Sequence, residues 1–145
     1  MSNQELDNLV KLGTLKAESG TPAEFDGLVS SAKKRLVDAR NDSLVFESRF
    51  DLAYNAAHGF APAALRHKGY RSDKRYAVFQ ALPHTLGLEA AVWRVLAKAH
   101  NDRNLVEYEG YSHVDTQLLA DLIRCATLLE HTVAQLPRLT NEAGR

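Results

Sequence analysis

The sequence predicts an all-α protein, an antiparallel bundle of about five helices. Three observations carry that prediction. Apolar residues recur at three- and four-residue steps along almost the whole chain, the spacing that gathers them on one helix face. No stretch alternates with period two in strand-forming residues. The connections are short, which favours antiparallel neighbours.

The elements follow in order. Leu6, Leu9, Val10 and Leu12 predict a short first helix ending near Gly13 or Gly20. Thr21-Pro22-Ala23-Glu24 is a start signal: Thr21 caps, Pro22 suits the first helical position, and Glu24 reaches back to the Thr21 N–H. Phe25, Leu28, Val29, Ala32, Leu36 and Ala39 form the stripe of that second helix. Asn41-Asp42-Ser43 ends it and offers the next cap. Phe46, Phe50, Ala53, Ala57, Phe60 and Ala64 then predict a long helix with one buried stripe, bent at Pro62.

Gly69 to Arg75 reads as a polar loop, and a shorter helix over about Arg75 to Leu82 is expected to end at Pro83. From Leu88 the next helix carries Val92, Val95, Leu96 and Ala99 and runs to roughly Tyr108 or Gly110. His113-Val114-Asp115 caps a last helix with the stripe Leu118, Leu122, Ala126, Leu129, Val133 and Leu136. These helices make a single domain over residues 1–136 with its core over 43–136, and residues 137–145 read as a flexible C-terminal tail.

With 145 residues, 45 % of them hydrophobic, the chain is long enough for one sizeable core. Lys+Arg and Asp+Glu balance at 18 each, which excludes a generically basic nucleic-acid coat but leaves room for a local basic patch. One Cys makes no internal disulfide, so a reducing compartment is expected. The start has neither the basic nor the apolar region of a signal peptide, and no apolar run approaches a membrane span. The expected localisation is cytoplasmic.

Two segments concentrate the chemistry. The first is Ala97 to Gly110. On a helix, Val92, Leu96, Ala99 and Val106 lie within about 80° of one another, and Arg103 falls inside that arc. An Arg on an apolar stripe is costly unless it is paired or faces a cavity or interface. Glu107, one turn on, is a candidate partner, and His100 lies one turn before. Arg103 is therefore either a structural arginine or one aimed at a phosphate or interface, for which its rigid fork is suited.

The second segment is Arg66-His67-Lys68-Gly69-Tyr70-Arg71-Ser72-Asp73-Lys74-Arg75-Tyr76, dense in basic residues with two Tyr. It reads either as a solvated helix end or as a phosphate or RNA contact. In the second reading Arg66, Lys68, Arg71, Lys74 and Arg75 meet phosphate, and Tyr70 or Tyr76 stacks a base.

The Arg103-Asn104 pair with Glu107-Tyr108-Glu109-Gly110 resembles the motif helix of the HEPN superfamily (higher-eukaryote and prokaryote nucleotide-binding domain). Glu47 to His58 resembles the long helix on which those domains build their core, and Ala64 to Tyr70 the helix end that follows. The resemblance spans roughly Ser43 to Leu136. It implies a small all-α bundle, a homodimer, and, in RNase-active members, metal-independent RNA cleavage by an Arg-polar-x-x-x-His pattern. Here Arg103, Asn104 and Tyr108 take those places. Tyr108 stands where the His is usual, and with a pKa near 10 it is a poor general base at neutral pH. His100 is a possible substitute. A continuous helix sets Arg103 and Tyr108 about 140° apart, so a shared site needs a helix end or a second subunit.

Other signals are weaker. The His residues show no zinc spacing, Glu109 and His113 are separated by Gly110, and neither a metal nor a cofactor is expected. Cys125 falls on the last buried stripe as a core thiol. Trp93 lies off the main stripe and is expected against the first helices or a partner. There is no phosphate-binding glycine loop and no GxSxG.

The resemblance implies a HEPN-like component of a bacterial toxin–antitoxin or nucleotidyltransferase-associated pair, acting on or binding RNA or nucleotide. Its partner would be an antitoxin or a nucleotidyltransferase-type protein. The alternative is a non-catalytic helical module that dimerises and binds a partner protein or a small anion.

Overall fold

The computed structural model describes residues 4–109 and 115–139, with the side chains of all of these except 104–109. The all-α bundle forms. Among the described residues the elements are α1 (Gln4–Lys11), β1 (Lys16–Ala17), α2 (Pro22–Ala39), α3 (Phe46–His67), β2 (Tyr70–Arg71), α4 (Arg75–Gln80), α5 (Leu82–Thr85), α6 (Ala90–Glu109) and α7 (Thr116–Ala134).

α3 is the central helix. It packs most extensively on α2 and next on α7, and also meets α4, α5, α6 and β2. Its expected single stripe is too narrow. Ala53, Ala57, Phe60 and Ala64 are fully buried, but so are Tyr54, Ala56, Ala61 and Ala63. A helix covered on several sides loses its polar face, and the many alanines let neighbours approach closely. α2 approaches closely at Gly59, where a Cβ would lie 2.8 Å from that of Ala32. Pro62 lies inside α3, which continues to His67.

The start signal for α2 is realised: Thr21 Oγ1 accepts from the Glu24 N–H at 3.2 Å, with Pro22 in the first turn. The signal for α3 is not. Asn41 Oδ1 accepts from the Ser43 N–H at 3.1 Å and closes a local turn, and α3 begins at Phe46 behind Val45, which makes no side-chain cap. The Asn41 oxygen accepts from both the N–H and the hydroxyl of Ser43, and α3 starts five residues further on, beyond its reach. Asp115 does cap α7, accepting from Leu118 N–H at 2.8 Å.

The predicted helix over residues 75–82 is two short helices. Ala81 ends α4, and α5 starts afresh with Pro83 in its first turn, where the missing N–H costs nothing. The first helix ends at Lys11, so Leu12 lies outside it and is 77 % exposed. A two-residue antiparallel ribbon, which periodicity did not predict, pairs Lys16 with Arg71 and Ala17 with Tyr70. Gly69, at φ +92°, turns the chain from α3 into this ribbon. At the other end, Leu139 is buried, His67 Nε2 lies 2.6 Å from the Pro137 carbonyl, and Arg138 pairs with Asp26 at 3.8 Å. The first residues of the expected tail are thus packed against the bundle.

Candidate functional site

The site is built where α3, α4 and α6 meet. On α3, Asp51, Tyr54, Asn55 and His58 occupy positions i, i+3, i+4 and i+7 and share a face. α4 brings Arg75 at its first position and α6 brings His100 and Arg103, one turn apart. Tyr54 is the hub. Its ring is fully buried, packing edge-on to Phe79 at 5.8 Å and parallel to His58 at 6.4 Å. The Arg103 guanidinium lies 5.2 Å and that of Arg75 5.8 Å from the same ring centroid, both at cation–π range. The Tyr54 hydroxyl and His100 Nδ1 are 3.0 Å apart.

Polar contacts reach the guanidiniums from α3. Arg103 Nε is 3.5 Å from Asp51 Oδ1, and Arg75 Nη1 is 3.5 Å from the neutral Asn55 Oδ1. Asp51 itself is largely in water, with a side-chain exposure of 60 %. Burial and the two guanidiniums set the electrostatics of the neighbours. Burial, reinforced by Arg75, Arg103 and His100, pushes His58 down to about 4. Burial and then Arg103 and Arg75 also lower His100. Burial raises Tyr54, against the pull of the two arginines. Imidazoles lowered in this way stay neutral at pH 7, so the cluster presents two fixed cations beside neutral donors and acceptors. That combination suits a small anion with several acceptor oxygens.

The cluster joins the two segments singled out from the sequence, through Arg75 of one and Arg103 and His100 of the other. It does not include the rest of the basic segment. Arg66 is 6 % exposed. It donates to the carbonyls of Glu18 (2.8 Å), Ser19 (2.9 Å) and Tyr70 (3.3 Å), and to Glu24 Oε1 at 3.0 Å. Its two Nη atoms clasp the chain before α2, while its Nε makes no hydrogen bond. In return its guanidinium, aided by the Thr21 N–H, holds Glu24 below the ordinary carboxylate range. Tyr70 is buried, and its hydroxyl donates to Asp7. Arg71 is exposed and paired with Glu18 at 3.0 Å. Lys68 and Lys74 are exposed, away from the cluster's described contacts.

Asn104, Glu107 and Tyr108 are helical in backbone, and their side chains lie outside the described residues, as does all of His113. The Arg103 partner that is described is Asp51, on another helix. Cys125 is buried, with its thiol pushed up by burial, as a core residue should be. Trp93 packs edge-on to Tyr76 at 5.9 Å rather than against the first helices.

Sequence reasoning missed Asp51, Tyr54, Asn55 and His58. A signal was present: four polar or amphipathic residues at helical spacing beside the apolar stripe of the same helix. Among the described residues no cluster of three or more His, Cys, Asp or Glu is placed to hold a metal, and no helix is long and apolar enough to cross a membrane. The chain matches no protein-family model and no curated protein sequence.

Proposed function

We propose that the protein is a HEPN-like component of a bacterial toxin–antitoxin or nucleotidyltransferase-associated pair that binds RNA or a nucleotide by its phosphate. Arg103 is the phosphate contact, and Arg75 joins it. The observation that carries this reading is the convergence of these two guanidiniums on the Tyr54 ring. A phosphate entering there meets two guanidiniums able to make charge-assisted hydrogen bonds.

In the catalytic form of this reading the protein is a metal-independent endoribonuclease. His100 stands in for the His that Tyr108 replaces. Its imidazole is neutral at pH 7, as a general base must be, and the Tyr54 hydroxyl 3.0 Å from Nδ1 orients the ring. Asn104 and Tyr108 complete the motif in this reading, with a second copy of the chain bringing them to the cleft.

Purified protein incubated with total RNA tests it. Cleavage by the wild type, lost in Arg103→Ala and His100→Ala, supports the endoribonuclease. Intact RNA with wild-type protein removes catalysis and leaves the binding function. Calorimetric titration with inorganic phosphate then decides binding: Arg103→Ala and Arg75→Ala are each expected to weaken it about tenfold or more. A wild type that takes up no phosphate at low salt overturns the reading altogether.

A further inference from the structure

We infer that the cleft between the first half of α2 and the end of α3 binds a free aliphatic α-amino acid, held at its two charges by Arg71 and Glu24. The cleft shares no residue with the Tyr54 cluster, so this site stands independently of the phosphate reading above.

The cleft encloses about 170 Å³, with Glu24 and Leu28 from α2, Pro62, Leu65 and Arg66 from α3, and Arg71 from β2 in its walls. That is well below the roughly 300–1,000 Å³ of sites for drug-sized ligands, so its ligand is small. Four side chains beside it alternate in sign. Arg71 Nη1 pairs with Glu18 at 3.0 Å, Glu18 with Arg66 Nη2 at 3.2 Å, and Arg66 Nη2 with Glu24 at 3.0 Å. The row ends in a cation at Arg71 and a carboxylate at Glu24, and both ends line the cleft. Those pairs engage only Nη1 of Arg71 and Oε1 of Glu24, and the two side chains are 52 and 41 % exposed. Hydrogen bonding to Arg66 first, and the Arg71 charge in smaller part, keep Glu24 below the ordinary carboxylate range, so it is charged at pH 7.

Arg66 is the second pointer. Its side chain is only 7 % exposed, it forms part of the cleft wall, and its Nε is a buried donor without an acceptor. Nε shares one edge of the guanidinium with Nη2, the atom that holds Glu24 of the same wall. A buried charged donor left unpaired is costly, and an oxygen delivered from the cleft relieves it. A zwitterion bridges the two ends of the row. Its carboxylate meets Arg71 and the Arg66 Nε, and its ammonium meets Glu24. An aliphatic side chain covers Leu28, Pro62 and Leu65. A simple anion would leave Glu24 and the apolar wall uncontacted, and an alkylammonium would leave Arg71 so.

Titration calorimetry of the full-length protein at pH 7 with L-leucine, glycine, 3-methylbutanoate and 3-methylbutylamine tests the inference. L-Leucine is expected to bind at least about tenfold more tightly than each of the others, because glycine lacks the apolar contact and the other two lack one charge. Arg71→Met, at an exposed position, should weaken L-leucine about tenfold or more and leave the amine within about twofold. Glu24→Gln should weaken L-leucine and the amine and spare 3-methylbutanoate. Urea midpoints of both variants are read alongside, and Arg71→Met carries the decision if Glu24→Gln loosens the clasp at Arg66. An absence of saturable L-leucine binding overturns the site, and so does binding no tighter than that of glycine. L-Leucine affinity that survives Arg71→Met overturns it as well. None of these failures touches the phosphate titration, which reads Arg75 and Arg103.

Discussion

His58 shows how one side chain ties the site to the stability of the bundle. It stacks on Tyr54 and meets Phe79 edge-on at 5.9 Å, and burial with the nearby arginines holds its pKa at about 4, against an ordinary value of 6.5. Between those values the unfolded chain takes up a proton that the folded chain refuses. Stability from this residue is therefore complete above about pH 6.5 and drains away as pH falls toward 4, by an amount of order 3 kcal/mol. Urea unfolding at pH 7 and pH 4.5 checks this. His58→Leu should lose less stability between the two pH values than the wild type does; an equal loss in both proteins would refute the assignment. Nothing in the one-dimensional pattern announced His58. Its position beside a buried Tyr and two cations is set by residues on α4 and α6, and spacing along α3 records only which of its own residues share a face.

At the scale of helices, the α2–α3 contact depends on an absence. Adding a methyl at Gly59 brings it within 2.8 Å of the Ala32 Cβ, closer than carbon atoms tolerate, so α2 must shift outward. Gly59→Ala is expected to destabilise by about 1–3 kcal/mol, as overpacking of a filled core does, despite the better helix propensity of Ala. Ala32→Gly in the same chain should recover part of the loss, read from the urea midpoint. The stripes of α2 and α7 and the caps Thr21 and Asp115 were legible because each is a local matter of period and side-chain reach. The Asn41 cap, the break at Ala81 and the ribbon were not. Asn41 had two local uses and the turn took it. The ribbon is two residues long on each side, too short to leave a period, and it exists because α3 returns the chain to the first residues.

For the molecule as a whole, Arg66 fastens the N-terminal segment to the central helix. It engages the carbonyls of Glu18 and Ser19 and pairs with both Glu18 and Glu24, at 3.2 and 3.0 Å. Arg66→Leu strands those acceptors and should cost about 2–4 kcal/mol, with Arg66→Lys rescuing little because an ammonium does not span the same fork. Hydrogen exchange should quicken first in α1 and β1, before the α2–α3–α7 packing responds. The basic segment looked uniform in sequence, yet it divides by burial: Arg66 turns inward to the clasp, Arg71 outward to Glu18, and Arg75 across to Tyr54. The candidate site was legible as two separate halves, Arg75 and Arg103. Their meeting on α3 was not, because it is a property of the packed bundle.

The clasp also imposes an order on synthesis. The Glu18 carbonyl and the guanidinium that receives it are 48 residues apart, and Glu18 leaves the ribosome first. At roughly 5–20 residues per second, the opening segment waits about 2–10 s for Arg66 and then for the β2 strand. During that interval Leu6 and Leu15, both fully or almost fully buried in the finished protein, have no wall to lie against. The N-terminal helix is thus made early, yet its contact with Tyr70, whose hydroxyl donates to Asp7, becomes available only after α3 has been synthesised.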